Sequence, residues 1–126
     1  MKCGWSWPRP TSTRPGRSLP RSRGSSWCRG RSLGYSADTG PEWSLEALGP
    51  RLDLALCEAT FQRDQEGTAQ HLSARQAGES ARAAGAGRLL LTHVWPTVDR
   101  ERSRLEGADA YGGPVDLAEP NERYEV

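Results

Sequence analysis

Four side chains in this 126-residue chain are of the types that do chemistry together: Asp38, Glu58, His71 and His93. Asp38 lies just past the run 31–37, Glu58 near the end of the apolar run 52–59, and His93 directly after the run 88–92; His71 stands in a polar stretch just ahead of Ser73. Carboxylates and neutral imidazoles are the donors that zinc or manganese takes. A carboxylate between two such ions bridges them, and the pair activates a water and clamps the oxygens of a phosphoryl or acyl centre. A carboxylate beside an imidazole raises its basicity and fixes its tautomer, which suits the imidazole to protonate a leaving group. Glu58 and His71 are the candidates for that pair. Singly, each residue has a plainer explanation: Asp38 as a turn residue, His93 as a satisfied buried histidine, Glu58 as an acid at a strand edge, His71 as a residue at a helix entrance.

The elements that must position these groups follow from local pattern. Arg-Ser-Leu-Gly-Tyr-Ser-Ala over 31–37 alternates as a strand does, and Asp38-Thr39-Gly40-Pro41 stops it with turn residues. Residues 42–48 predict a short helix closed by Gly49-Pro50. Leu-Asp-Leu-Ala-Leu-Cys-Glu-Ala over 52–59 suits a strand buried on both faces. Residues 61–70 read as a loop. A helix from Ser73 to about Ala84 opens with the S-x-x-Q spacing of a capping box and carries Ala74, Ala77, Gly78 and Ala81 as a small-residue stripe. A strand over 88–92, a weakly apolar helix over 98–111, and short closing strands over 115–118 and 124–126 complete the pattern, which predicts an α/β layered fold. If the strands run parallel, Asp38, Glu58 and His93 emerge on one rim, where open α/β sheets place their sites, and the helix entrance brings His71 there.

Composition divides the chain. Eight basic residues and no acidic one precede Asp38, whereas nine arginines and sixteen acidic residues follow from there on, so the net charge of +1 conceals two opposed halves. Residues 1–32 hold Leu19 as their one aliphatic core residue, among Arg, Ser, Pro, Gly and Trp, too little apolar surface to offset the entropy of ordering. Residues 1–30 are therefore expected to be a disordered basic arm, and 31–126 the folded part. Two origins fit the arm: an RNA-binding segment in which Arg neutralises phosphate and Trp stacks on bases, or out-of-frame translation of GC-rich sequence, which the compositional break favours. Three cysteines without a CxxC spacing argue against a disulfide framework or a thiolate zinc site, and Cys57 is expected to be a buried free thiol. No stretch has the ~20 apolar residues that cross a bilayer, and no secretory signal begins the chain, so a cytoplasmic location is expected.

Ser36-Ala37-Asp38-Thr39-Gly40, Cys57-Glu58-Ala59-Thr60-Phe61, His71-Leu72-Ser73-Ala74 and Leu91-Thr92-His93, in this order, resemble the metallo-β-lactamase superfamily, and within it the ribonuclease Z-like and cyclic-nucleotide phosphodiesterase-like branch. The resemblance covers roughly residues 31–126. It implies the C-terminal half of an αββα metallo-β-lactamase sandwich, with Asp38 bridging two divalent ions (zinc, or alternatively manganese), His93 ligating one of them, and Glu58 with His71 as the acid pair. It also implies a phosphodiester substrate, RNA or cyclic nucleotide. The chain departs from the family's H-x-H-x-D-H motif: it has two histidines, both assigned above. The expectation is a metal-dependent phosphodiester hydrolase by descent, truncated and inactive as an isolated chain, whose unpartnered faces favour association, for example as a homodimer. The alternative is a non-catalytic RNA- or partner-binding remnant that works through its basic arm. Trp95 and Tyr111 are expected to pack, and Asp64, Glu66, Glu101 and Glu106 to be solvated charges.

Overall fold

A computed structural model describes residues 25–28 and 30–126. Its centre is a five-stranded sheet whose spatial order follows the chain: β1 (Ser25–Cys28), β2 (Arg31–Tyr35), β3 (Leu54–Glu58), β4 (Leu89–Thr92) and β5 (Val115–Leu117). β1 pairs antiparallel with β2, and every later neighbour pairs in parallel. Parallel neighbours need crossovers, which α1 (Ala74–Ala83) supplies between β3 and β4 and α2 (Arg100–Tyr111) between β4 and β5. The α/β layered fold read from the sequence is the fold observed.

The register fixes what faces what. Ala55, Cys57, Leu89, Leu91 and Val115 share one face of the sheet and pack with Ala74, Ala77 and Ala81 of α1 in one buried core. Ala and Gly on α1 let the helices approach: a Cβ on Gly78 would lie 2.5 Å from the Gly107 carbonyl of α2. The capping box forms as the spacing predicts, with Ser73 Oγ accepting from Gln76 N and the Gln76 side chain accepting from Ser73 N. α2 has little amphipathic character, and is fixed at its ends by Asp99 as N-cap and by Gly112 at φ 81°. The opposite sheet face carries Leu33, Leu54, Leu56 and Leu90, of which Leu33 and Leu56 remain partly exposed.

Three local expectations change. Residues Ser25–Cys28 lie within the arm expected to lack order, yet they form β1, turned back on β2 through Gly30 at φ 75°; backbone pairing to an existing strand needs no apolar side chains, so composition did not disclose it. Residues 1–24 and 29 of the arm, and with them the RNA-binding reading, lie outside the described residues. The segment 124–126 is not a strand: Tyr124 instead folds back, its hydroxyl accepting from Glu119 N at 2.9 Å and donating to Leu117 O at 3.3 Å. The helix expected over 42–48 is a single 3₁₀ turn, Leu45–Leu48, capped by Ser44. Among the described residues no helix is long and apolar enough to cross a membrane.

Candidate metal and acid site

Because β2, β3 and β4 are parallel, the residues that follow them reach the same rim of the sheet. Glu58 ends β3, the central strand, and its side chain is 1% exposed. A carboxylate that deep must be fully partnered. Its Oε1 accepts the Thr39 backbone N–H at 2.6 Å, and its Oε2 accepts the Thr60 hydroxyl at 2.6 Å. His71 Nδ1 lies 3.2 and 3.1 Å from the two oxygens. In the Nδ1–H tautomer the carboxylate accepts a hydrogen bond from His71, and Nε2 is the ring nitrogen left for other partners.

His71 reaches this position because the loop before α1 is closed upon itself. Phe61 N–H donates to Leu72 O at 3.1 Å and Ala74 N–H to Phe61 O at 2.9 Å, a parallel bridge that folds the segment 62–72 back over the end of β3. Glu66 secures the same loop to α1. It accepts from Ser73 Oγ at 2.6 Å and from Arg75 Nε at 2.8 Å, and the Arg75 guanidinium holds its carboxyl below the usual range. Phe61 meets the His71 ring edge-on, with centroids 5.8 Å apart.

His93 follows β4 at φ 53°, and Ala37, immediately before Asp38, sits at φ 50°. Non-glycine residues in the left-handed region are uncommon and concentrate at functional sites. These two turn the chain where strands β4 and β2 end, and Asp38 Oδ1 comes to lie 3.0 Å from His93 Nδ1. The His71 and His93 rings stand edge to face with centroids 5.5 Å apart. All four residues singled out in the sequence therefore converge. Asp38 and His93 are open, at 67% and 42% side-chain exposure, and His71 is partly covered at 28%.

Thr60 is the member that sequence reasoning passed over. It is fully buried, donates to Glu58 and lies 3.4 Å from His93 Nδ1, so it joins the acid pair to the Asp38–His93 pair. Its position two residues beyond Glu58 was the available signal, since residues i and i+2 of an extended segment share a side. Of the other expectations, Tyr111 packs against the core and donates to Ala86 O at 2.6 Å, whereas Trp95 is 47% exposed rather than packed. Asp64 and Glu101 pair with arginines at the surface, whereas Glu66 and Glu106 are largely covered and bonded to neighbouring segments rather than solvated, and Cys57 is a buried free thiol.

A catalytic zinc takes three protein donors at about 2.0–2.2 Å, which sets those donors roughly 3–3.5 Å apart. Glu58, His71 and His93 each offer an atom within 4.8 Å of the others. Glu58, however, already receives three donors and is closed to solvent, and His71 is turned to it through Nδ1, which leaves Asp38 and His93 as the open donors. Two open donors match one end of a binuclear site; they are fewer than the three protein donors of a catalytic zinc and too few for two ions.

A largely parallel sheet, helices packed on one of its faces and a rim of Asp, Glu and His define an α/β protein with a carboxylate–imidazole cluster at the rim of its sheet. The family model described as "Beta-lactamase superfamily domain" matches residues 25–94. The metallo-β-lactamase fold protein YhfI from Bacillus subtilis is similar in structure, with a TM-score of 0.65 at 34% identity over 70% of this chain and 36% of that one. In sequence, the probable metallo-hydrolase YhfI is 36% identical over 67% of this chain and 35% of its own length, and the ribonuclease Z of Myxococcus xanthus is 39% identical over 71% and 31%. An uncharacterised protein of Mycobacterium leprae is 36% identical over 77% and 34%. The chain belongs to the metallo-β-lactamase superfamily. It spans about a third of the length of these curated relatives.

Proposed function

We propose that this chain carries the leaving-group acid and one end of the metal site of a phosphodiester hydrolase of the ribonuclease Z type, and that the isolated chain does not complete that site. The observation that carries the reading is the Glu58–His71 pair, held by Thr39 and Thr60 beside His93. Relatives named ribonuclease Z and metallo-hydrolase support the substrate and reaction class. Asp38 and His93 would hold a divalent ion, zinc or manganese, and such an ion would supply Lewis-acid polarisation of the phosphoryl oxygen and a more acidic water.

The chain's own residues then account for the other half of the displacement. As water attacks phosphorus and the P–O bond to the leaving group breaks, that oxygen needs a proton. His71, protonated at Nε2 and anchored through Nδ1 to Glu58, supplies it, and the buried carboxylate stabilises the imidazolium before transfer. Thr39 and Thr60 fix the carboxylate so that the imidazole does not rotate away. Nucleotide is the substrate class that the relatives suggest.

Incubating the chain with zinc or manganese and bis(p-nitrophenyl) phosphate tests both parts. The expected result is no turnover above the metal blank, together with perturbation of the His71 and His93 ring resonances by the phosphodiester. Turnover that vanishes in His93→Ala would retain the hydrolase and overturn the incompleteness. Histidine rings indifferent to the phosphodiester would sink the hydrolase reading itself.

A further inference from the structure

A second feature opens directly beside His93. A cleft of about 330 Å³ is lined by Thr92, His93, Val94, Arg100, Ala118 and Glu119, with Pro120 at its edge. One wall is the end of β4; the other is the segment after β5, tied down where Ala118 N–H donates to Leu91 O at 2.7 Å and Glu119 N–H to the Tyr124 hydroxyl at 2.9 Å. Arg100, the first residue of α2, brings a guanidinium to this cleft, where it meets Glu119 Oε1 at 2.5 Å. Both side chains are about half exposed, and an ion pair of that kind contributes little to a fold. The pair lines the same cleft as His93, a residue of the candidate site.

We infer that this cleft is an anion subsite, in which Arg100 takes a second phosphate of a nucleotide chain whose first phosphodiester lies at His71 and His93, and that Glu119 occupies Arg100 until that phosphate displaces it. The inference rests on the phosphodiesterase reading above and narrows it. A guanidinium binds phosphate in a two-pronged fork, and contacts to neighbouring phosphates set the register of a nucleic-acid chain without reading its bases. A cyclic mononucleotide has one phosphate and leaves the cleft empty. The substrate class selected is therefore a linear oligonucleotide. Arg100 acts here as a specificity-determining residue, and Glu119 as its competitor.

Equilibrium binding of two dinucleotides to the metal-free full chain in EDTA tests this. The probes are UpU, with its single internal phosphate, and pUpU, with an added terminal phosphate. Binding is followed through the His71 and His93 ring signals and the Arg100 Nε–H signal. The expected result is about 10-fold tighter binding of pUpU than of UpU at low salt, a difference that collapses to parity in Arg100→Ala while UpU binding is unchanged. Glu119→Gln, which frees the guanidinium without removing it, should tighten pUpU about threefold and leave UpU as it was. An undiminished pUpU preference in Arg100→Ala overturns the subsite, as does equal binding of the two probes by the wild-type chain. If UpU leaves both histidine rings untouched while pUpU still shifts Arg100, the subsite stands and the hydrolase reading falls.

Discussion

Glu58 is the residue on which the site's geometry depends. It is buried on the central strand, and its two oxygens take donors from a backbone N–H, a hydroxyl and an imidazole. Glu58→Gln replaces one acceptor oxygen with an NH₂ that faces donors, and removes the partner of His71. A loss of about 2–4 kcal/mol is expected from urea unfolding, since leaving buried donors unpaired costs more than the bond itself contributed. Thr60→Val removes one donor from the same carboxylate and should cost about 1–3 kcal/mol. The neighbouring Cys57 gives a pH dependence. Burial pushes its thiol from an ordinary 9.0 up to about 12. The unfolded chain therefore loses this proton first, so the thiol's contribution is complete below pH 9.0 and drains away as pH rises towards 12. The slope is at most about 1.4 kcal/mol per pH unit. Urea midpoints of wild type and Cys57→Ala, compared across the alkaline range, should converge as pH rises; parallel curves would refute this account.

The helix pair shows why these elements, and not only these residues, are needed. Gly78 sits inside α1, where Ala would ordinarily stabilise a helix by up to about 1 kcal/mol. Here a Cβ would meet the Gly107 carbonyl at 2.5 Å and the Tyr111 amide nitrogen at 3.0 Å, both backbone atoms of α2. Backbone cannot swing aside as a side-chain tip can, so Gly78→Ala should destabilise the chain by about 1–3 kcal/mol in thermal or urea unfolding, against its helix propensity. A neutral or stabilising result would mean that α1 and α2 are not in close contact. The capping box at Ser73 was legible because a three-residue spacing is a local property. The bridge from Phe61 to Ser73 that carries His71 to the rim was not, because nothing in the polar stretch 62–70 announces that its two ends meet. Strand β1 escaped for a related reason: an edge strand draws on backbone hydrogen bonds, while composition reports only side chains.

For the molecule as a whole, the number of donors limits what it can bind. Two histidines in the entire sequence, with Asp38 and a Glu58 already engaged, would supply at most one end of the proposed metal site. Calorimetric titration with zinc should therefore saturate at no more than one equivalent at this site, and the heat should vanish in His93→Ala. Two tightly bound equivalents, both lost with His93, would show that the chain completes a binuclear centre unaided.

The sequence by itself settled which donors exist, their order, the periodicity of the strands and helices that carry them, and that no further histidine was available. Those are matters of residue type and short-range spacing. Tertiary structure alone decided that Asp38 and His93 lie 3.0 Å apart, that Thr60 links two pairs, and that an arginine from α2 opens a cleft beside them. Each of these joins residues more than 20 positions apart or on different elements. Such meetings follow from the parallel strand order and the crossover helices, which no local pattern encodes.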